Sequence, residues 1–263
     1  MTDPRDTPDP NLVTRADPMQ ISCPLIDLRR QPDGKRERQL LLGDTVTVLH
    51  HNADWRLIRA EKDGFHGYVP ARALGAPQAA THRMSARATH AYERPDLKSP
   101  DLASLSFGSR VTALSETAGF IETNVGFIPR QHLSSIDHLD TDPVTVAELF
   151  LGTPYLWGGN SGTGIDCSGL VQAACLACGI PCPGDSDQQC DRLGTLLPSE
   201  SPYQRNDLLF WKGHVALVTD PQTMLHANAG DMAVAREGIE AGIARILDQG
   251  DGPVIAHKRL QLP

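Results

Sequence analysis

The feature that most constrains the fold is an internal repeat in the first half of the chain. Residues 40–49 read LLLGDTVTVL and residues 105–114 read LSFGSRVTAL, at a constant offset of 65. Residues 67–74 (GYVPARAL) and 126–133 (GFIPRQHL) match at an offset of 59. Short alternating apolar runs broken by Gly, Pro, Asp and Asn are typical of small all-β units. The repeat predicts two copies of one small barrel, with the missing residues removed from a hairpin loop.

The repeat also sets the expected domain boundaries. We expect a first barrel at residues 21–75, a second at 84–137 and a non-repeating α+β unit at 142–263. Residues 1–20 are rich in Pro and Asp and lack the basic and apolar segments of a secretory signal. They predict a flexible, solvated arm.

Composition limits the partners and the compartment. The 263 residues include 24 Lys and Arg against 32 Asp and Glu, a net charge of −8, which disfavours nucleic acids and anionic membranes as partners. No apolar stretch approaches transmembrane length. Four of the six cysteines crowd between residues 175 and 190, and without an export signal this predicts reduced thiols and a cytoplasmic location.

The third unit contains a candidate nucleophile. Residues 152–179 hold a glycine-rich loop followed by an amphipathic helical pattern, with Asp166 at the N-cap position and Cys167 on the first turn. The positive end of a helix stabilises a thiolate, so the pattern predicts a thiol pKa lowered from about 8.5 into the range of about 3.5 to 7.5. A cysteine without catalytic neighbours is more often a small buried apolar residue. The hypothesis that Cys167 is a nucleophile therefore depends on a base and an orienting group near it.

Two histidines supply those partners. A thiol nucleophile needs a base, and the base needs a group that orients it. Residues 206–220 predict a hairpin in which His214 opens the second strand. Residues 224–228 predict a third strand that places His226 beside His214. Asn228, on the same face of that strand, is the alternative orienting residue.

The blocks around Cys167, His214 and His226 resemble the NlpC/p60 family of papain-like cysteine peptidases, which cleave peptides of bacterial cell walls. The resemblance covers roughly residues 142–263 and implies a papain-like catalytic domain. It implies Cys167 as the nucleophile, His214 as the base and His226 as the third residue, with Asn228 left open for that place.

The same resemblance implies a set of substrate-binding residues. Asp166 and Ser168 match the family's Asp-Cys-Ser core, and Tyr155 and Trp157 belong to its Pro-Tyr-x-Trp-Gly-Gly element. Members supply a tyrosine near the oxyanion at the position of Tyr155. Asp166 either caps the helix or pairs with a free α-ammonium of the substrate. A serine at position 186 implies a hydrogen bond to a D-glutamyl carboxylate.

The two barrels resemble bacterial SH3-like domains, and the first resembles the variant found in dipeptidyl-peptidases of this family. In such enzymes the first barrel blocks one end of the groove, so that only peptides with a free amino terminus fit. A barrel tyrosine holds the terminal amine, for which Tyr68 and Tyr92 are candidates, although a core or rim position is the alternative for each. The implied reaction is hydrolysis of the γ-D-glutamyl to diamino acid bond, with meso-diaminopimelate or L-Lys, in murein peptides that begin with a free L-Ala, as part of wall-peptide recycling.

Two alternatives keep part of this pattern. An NlpC/p60-like acyltransferase or amidase retains Cys167 and His214, but an acyltransferase needs an apolar acyl channel. A non-catalytic protein that binds cell walls is the other alternative, and the three intact catalytic positions argue against it.

The remaining patterns favour structural roles. Cys175 and Cys178 fall on the apolar face of the predicted helix, so core packing is favoured over zinc, and we expect no metal and no cofactor. Ser186 with Gln189 fits a capping box at the start of the next helix. Residues 235–247 predict a surface helix whose isoleucines face inward.

Overall fold

The computed structural model describes residues 3–263, so Met1 and Thr2, the first residues of the expected arm, lie outside the described residues. The chain divides into two compact units. One comprises residues up to 138 together with 161–163, and the other comprises 139–160 together with 164–263. None of the helices in the described chain has the length and apolar character that crossing a bilayer requires.

The first unit is built of strands. In chain order these are β1 (Asp17–Ile21), β2 (Leu25–Arg29), β3 (Arg36–Leu41), β4 (Thr45–Asn52), β5 (Trp55–Ala60), β6 (His66–Pro70), β7 (Leu74–Gly75), β8 (His82–Met84), β9 (Ala88–Tyr92), β10 (Asp101–Ser106), β11 (Arg110–Val111), β12 (Ala113–Thr117), β13 (Phe120–Thr123), β14 (Gly126–Pro129) and β15 (Leu133–Ser135).

These strands form two sheet bodies with separate cores. In the first, the sheet order is β3-β2-β6-β5-β4-β1-β7. In the second, a sheet of order β10-β9-β14-β13-β12 accompanies a sheet of order β11-β8-β15. Alternate residues of each strand point inward and exclude water from the core. The fully buried residues include Leu28 and Ile58 in the first body and Met84 and Ile128 in the second.

The repeated sequence folds into repeated structure. The β5–β6 hairpin is followed by a 3-10 turn at Ala71–Ala73, and the shorter β13–β14 hairpin is followed by one at Arg130–His132. Gly43 and Gly108 adopt the same left-handed backbone, with φ of +84° and +85°. The residues missing from the second copy lie at the hairpin, as the two offsets predict. That the second body belongs to the same SH3-like class as the first stays a prediction.

The expected flexible arm of residues 1–20 is too long. Asp17–Ile21 forms β1, which pairs with β4 and, through its last two residues, with β7. The N–H groups of Thr14 and Arg15 both donate to the carbonyl of Leu49. Pro18 is tolerated because β7 does not reach it, so its missing N–H leaves no partner unpaired. The end of this stretch therefore forms a strand despite its content of Pro and Asp.

The second unit combines helices with one larger sheet. Its helices are α1 (Pro143–Glu148), α2 (Cys167–Ala177), α3 (Ser186–Arg192) and α4 (Ile239–Asp248). Its strands are β16 (Asn160–Ser161), β17 (Gly164–Ile165), β18 (Thr195–Leu196), β19 (Asp207–Trp211), β20 (His214–Asp220), β21 (Thr223–Asn228), β22 (Ala233–Gly238) and β23 (Ala256–Arg259). The six-stranded antiparallel sheet has the order β18-β23-β19-β20-β21-β22, and α2 packs against β20 and β21.

Two local predictions for this unit are wrong. The N-cap of α3 is Asp185, and Ser186 is the first helical residue, so the capping box with Gln189 does not form. Gln189 instead donates from Nε2 to the carbonyls of Ser168 and Pro183, which ties α3 to α2. The helix expected at residues 235–247 begins only at Ile239, because its first four residues complete β22.

Candidate functional site

The carboxylate of Asp166 fixes the start of α2. Its Oδ1 accepts hydrogen bonds from the N–H of Gly169 at 2.6 Å and from the hydroxyl of Ser168 at 3.1 Å. Its Oδ2 accepts from the N–H of Gly158 at 2.9 Å. One carboxylate thus caps the helix and anchors the glycine-rich loop before it. Cys167 is held on the first turn between these two elements.

The thiol of Cys167 lies against β20. The residue is 6% exposed, and the N–H groups of Val215, Ser168 and Cys167 itself face the sulfur. Burial raises the pKa of the Cys167 thiol to about 12, with a further increase from the nearby Asp166 carboxylate. The expected lowering of this pKa is therefore wrong, because desolvation of a thiolate outweighs the stabilisation from the helix end. At neutral pH the sulfur carries its proton.

Tyr155 lies beside the same thiol. Its N–H donates to the carbonyl of Met232 at 2.8 Å, and its backbone forms an isolated bridge with Ile165, two residues before Cys167. Burial raises the pKa of the phenol, and the charges of Cys167 and Asp166 raise it further. The hydroxyl therefore remains a hydrogen-bond donor next to the sulfur at neutral and alkaline pH.

His214 and His226 are in direct contact. His214 Nε2 lies 2.9 Å from His226 Nδ1, and the ring centroids are 5.1 Å apart. The His226 side chain is fully buried. Asn228 is used elsewhere, since its amide donates to Asp231 and its carbonyl accepts from the Asp231 N–H. Of the two candidates for the third position, the structure brings His226 to His214.

The contact leaves His214 with one free ring nitrogen. His214 is the first residue of β20, and the next residue, Val215, directs its N–H at the Cys167 sulfur. Burial, followed by the charge of His226, lowers the pKa of His214 to about 3. Burial also lowers the pKa of His226. Both rings are therefore neutral at pH 7, and the neutral imidazole of His214 can accept a proton.

Two further residues join this arrangement that the sequence analysis missed. His226 Nε2 lies 3.1 Å from Glu237 Oε2, and Arg245 binds the same carboxylate through Nη2 at 2.7 Å and Nε at 2.8 Å. Glu237 lies on β22, in the stretch that the sequence pattern assigned to a helix. Residues 233–237, AVARE, show no alternation of apolar and polar residues, so the sequence pattern carries no signal for this strand.

The other predicted substrate-binding residues differ in exposure. The indole of Trp157 is 70% exposed, whereas Ser168 and Ser186 are buried. Ser186 lies on the first turn of α3, and the Ser168 hydroxyl is committed to Asp166. A cavity of about 150 Å³ opens beside His214, and Tyr155, Asn228 and Arg245 contribute to its lining. A small substrate group can therefore approach the His214 ring.

The two candidate tyrosines belong to the first unit. Tyr68, on β6, is buried in a small cluster with Leu49 and Leu57. Tyr92, on β9, makes an edge contact with Phe120 at a centroid distance of 6.0 Å. Within that unit both rings serve packing.

Three of the cysteines outside the site lie in the core of the second unit. Cys175 and Cys178 are fully buried around α2, and Cys182 is 3% exposed. Within residues 3–263, no group of three or more His, Cys, Asp or Glu side chains is placed to hold a metal ion.

Comparison with known proteins places both units. The sequence model of the NlpC/P60 family matches residues 152–244, and that of the bacterial dipeptidyl-peptidase SH3 domain matches residues 28–74. Gamma-D-glutamyl-L-lysine dipeptidyl-peptidase of Bacillus cereus (strain ATCC 10987 / NRS 248) is 27% identical over 234 residues, covering 76% of this chain and 69% of that one. Dipeptidyl-peptidase 6 of Lysinibacillus sphaericus is 38% identical over 91 residues, about a third of either chain.

The fold has a solved counterpart. The crystal structure of an NlpC/P60 family protein from Bacillus cereus ATCC 10987 superposes with a TM-score of 0.79 at 22% sequence identity. The match covers 94% of this chain and 100% of that chain. At this identity the likeness shows a shared fold.

Proposed function

We propose that this chain, which carries an NlpC/P60 domain preceded by a bacterial dipeptidyl-peptidase SH3 domain, is a cysteine peptidase acting on murein peptides. In detail, it hydrolyses the γ-D-glutamyl to diamino acid bond of peptides with a free N-terminal L-Ala. The observation that carries the chemistry is the 2.9 Å contact between His214 and His226, on the strand whose next N–H faces the Cys167 sulfur. The relatives named as dipeptidyl-peptidases support the substrate class.

The first step follows from the protonation states. The thiol of Cys167 and the ring of His214 are both neutral at pH 7, so His214 accepts the thiol proton as the sulfur attacks the amide carbonyl. The sulfur–carbon bond forms while the carbonyl π electrons move onto oxygen. His214, now an imidazolium, protonates the leaving amine of the diamino acid, and the carbon–nitrogen bond breaks. A thioester to Cys167 remains.

Two donors are available for the oxyanion. The N–H of Cys167 lies at the start of α2, and the Tyr155 hydroxyl keeps its proton beside the sulfur. Loss of one such donor typically costs on the order of a hundredfold in rate. Water then attacks the thioester with His214 as base and releases the dipeptide L-Ala-D-Glu together with the free thiol.

Asp166 is our candidate for recognition of the free amine. Its carboxylate is buried beside Cys167 and binds three protein donors as the cap of α2. A carboxylate held beside the nucleophile attracts a positively charged group, so an α-ammonium that reached this side of the site would pair with Asp166.

A pair of peptides tests the proposal. Wild-type protein should release L-Lys from L-Ala-γ-D-Glu-L-Lys and cleave the N-acetylated peptide at least about a hundredfold more slowly, because acetylation removes the charge that pairs with a carboxylate. Cys167→Ala should cleave neither peptide. Equal cleavage of both peptides by the wild-type protein would contradict the proposed recognition of the free amine. Cleavage of neither peptide would contradict the proposed peptidase activity.

The place of the reaction is part of the same proposal. A peptide with a free L-Ala terminus is a fragment already separated from the glycan strand, which fits recycling of wall peptides in the cytoplasm. Cell fractionation tests this location. Recovery of the protein in the periplasmic or extracellular fraction would contradict it.

A further inference from the structure

The hydrogen bonds around His226 form one line that connects four secondary-structure elements. His214 on β20 contacts His226 on β21, which contacts Glu237 on β22, and Arg245 on α4 binds the far side of that carboxylate. His226 faces Ala235 in the strand register, and Glu237 lies two residues further along β22 on the same face. The line therefore follows from the sheet register.

Each member of the line determines where the next one carries its proton. Both oxygens of Glu237 accept hydrogen bonds from Arg245, which lowers the pKa of the Glu237 carboxyl and keeps it ionised. An ionised carboxylate only accepts hydrogen bonds, so His226 must hold its proton on Nε2. Neutral His226 then presents a bare Nδ1, and His214 must donate to it from Nε2. The remaining nitrogen of His214, Nδ1, is left as its base.

The position of Glu237 is built into the packing of α4. Gly242 lies buried in that helix, where a glycine costs roughly 0.5–1 kcal/mol relative to alanine. A methyl group at this position would lie 2.9 Å from Glu237 Oε2 and would also collide with Met224. Helix α4 therefore contains a destabilising glycine at the point where the Glu237 carboxylate approaches it. Arg245 is held in turn by Gln249, whose Oε1 accepts from its Nη1 at 2.8 Å.

We propose that Glu237 is a positioning residue that sets the tautomer of His214 through His226. The proposal rests on the assignment of His214 as the base of the proposed peptidase. Glu237 itself does not touch the thiol. The charged groups that act on His226 are Glu237, Arg245 and Asp231, and of these Glu237 is the one within hydrogen-bond distance of its ring.

Two substitutions of Glu237 separate this role from a purely structural one. Glu237→Gln keeps the volume, but its amide can donate to His226 Nε2 and so permits the opposite tautomer in both histidines. Glu237→Asp shortens the side chain but keeps an acceptor. Setting the tautomer predicts that Gln lowers kcat about a hundredfold and Asp only about tenfold, with KM nearly unchanged in both. A packing role predicts the reverse order, because Gln preserves the shape of Glu.

A matched control uses another Glu–Arg pair of the same unit. Glu148 binds Arg236 at 2.7 Å, and the carboxylate of this pair lies on α1, outside the line from His214 to Arg245. Glu148→Gln removes a comparable ion pair and should leave kcat and its pH profile unchanged. A loss of kcat in this control equal to that in Glu237→Gln would overturn the proposal.

Histidine tautomers give a second readout that needs no substrate. In ¹⁵N-histidine protein at pH 7, long-range ¹H–¹⁵N NMR should show protons on Nε2 of both His214 and His226. Glu237→Gln should move at least part of the population to Nδ1, whereas Glu237→Asp should not. A wild-type His226 with its proton on Nδ1 would overturn the proposal. If wild-type protein left the peptide intact, the peptidase would be contradicted while the NMR result still decided the role of Glu237.

Discussion

The second unit contains two networks of the same composition, and only one of them belongs to the candidate site. In the site network, Glu237 is bound by Arg245 and by Nε2 of His226. In the other, Asp207 is bound by Arg259 through two nitrogens at 2.8 and 2.9 Å and by Nε2 of His257 at 2.8 Å.

The two networks differ in where the histidine leads. Nδ1 of His226 lies 2.9 Å from Nε2 of His214, on the strand whose next N–H faces the Cys167 sulfur, whereas Nδ1 of His257 is buried without a hydrogen-bond partner. Asp207 and Arg259 face each other in the strand register, so the second network fastens β19 to β23. A carboxylate, a histidine and an arginine can therefore serve only to join two strands. The network at the candidate site differs in that its histidine contacts a second ring, that of His214.

The largest expected effect comes from removing the thiol of Cys167, the proposed nucleophile. Cys167→Ala should lower kcat/KM for L-Ala-γ-D-Glu-L-Lys by about 10⁵-fold or more, because the proposed nucleophile is absent. The matched control is Cys190→Ala, a half-buried cysteine on α3, which should retain wild-type activity. Steady-state kinetics check both, and comparable losses in the two variants would contradict the assignment of the nucleophile.

The next effect comes from replacing the central histidine of each network. His226→Ala should lower kcat about a thousandfold, since His214 loses the acceptor that fixes its tautomer. His257→Ala should leave kcat of the folded protein near wild type. Both variants should lose stability, because each removes a buried ring from a carboxylate. Thermal melts and kinetics on the same samples separate the two, and a kcat for His257→Ala as low as that of His226→Ala would erase the distinction.

A smaller effect concerns the stability supplied by the second network. Asp207→Asn should lower the free energy of unfolding by about 3 kcal/mol at pH 7, because it leaves Arg259 and His257 without their charged partner. Burial acts to raise the pKa of Asp207, but hydrogen bonds from Arg259, His257 and the Gln204 N–H outweigh it, and the pKa is lowered below 3.8.

The pH dependence of this effect has a defined direction. A lowered folded-state pKa stabilises the protein above pH 3.8, and the contribution disappears as pH falls through the folded-state value. The stability gap between wild type and Asp207→Asn should therefore be constant near neutrality and should shrink as the pH falls below about 4, through the lowered pKa of Asp207. Urea titrations across this range measure it, and a gap that widened on acidification would contradict the role of Asp207.

The sequence predicts the parts of the site that depend on local pattern. The cap at Asp166 and the helix after it follow from residues adjacent in the chain, and the structure confirms both. The strands that carry His214 and His226 are confirmed for the same reason. Short-range patterns of this kind decide local structure directly.

What the sequence does not predict depends on contacts between distant residues. The pKa of Cys167 is set by burial against β20, whose sequence lies almost fifty residues further on, and no local rule for a helix end contains that contact. The sequence pattern predicts a helix at Glu237 because Ile239 and the isoleucines after it have helical spacing. In the structure, that helix begins only at Ile239. The strand β1 was missed because Pro18 looks incompatible with a sheet until the reach of β7 is known.

The Cys167 thiol and the His214 imidazole are both neutral at rest, and alkylation of Cys167 tests this most directly. The pKa of the thiol is raised to about 12 and that of His214 is lowered to about 3. Since only the thiolate reacts, the rate constant for iodoacetamide should rise about tenfold per pH unit from pH 6 to pH 10 without a plateau. A fast rate that is constant between pH 5 and pH 8 would show a preformed thiolate–imidazolium pair and contradict the account.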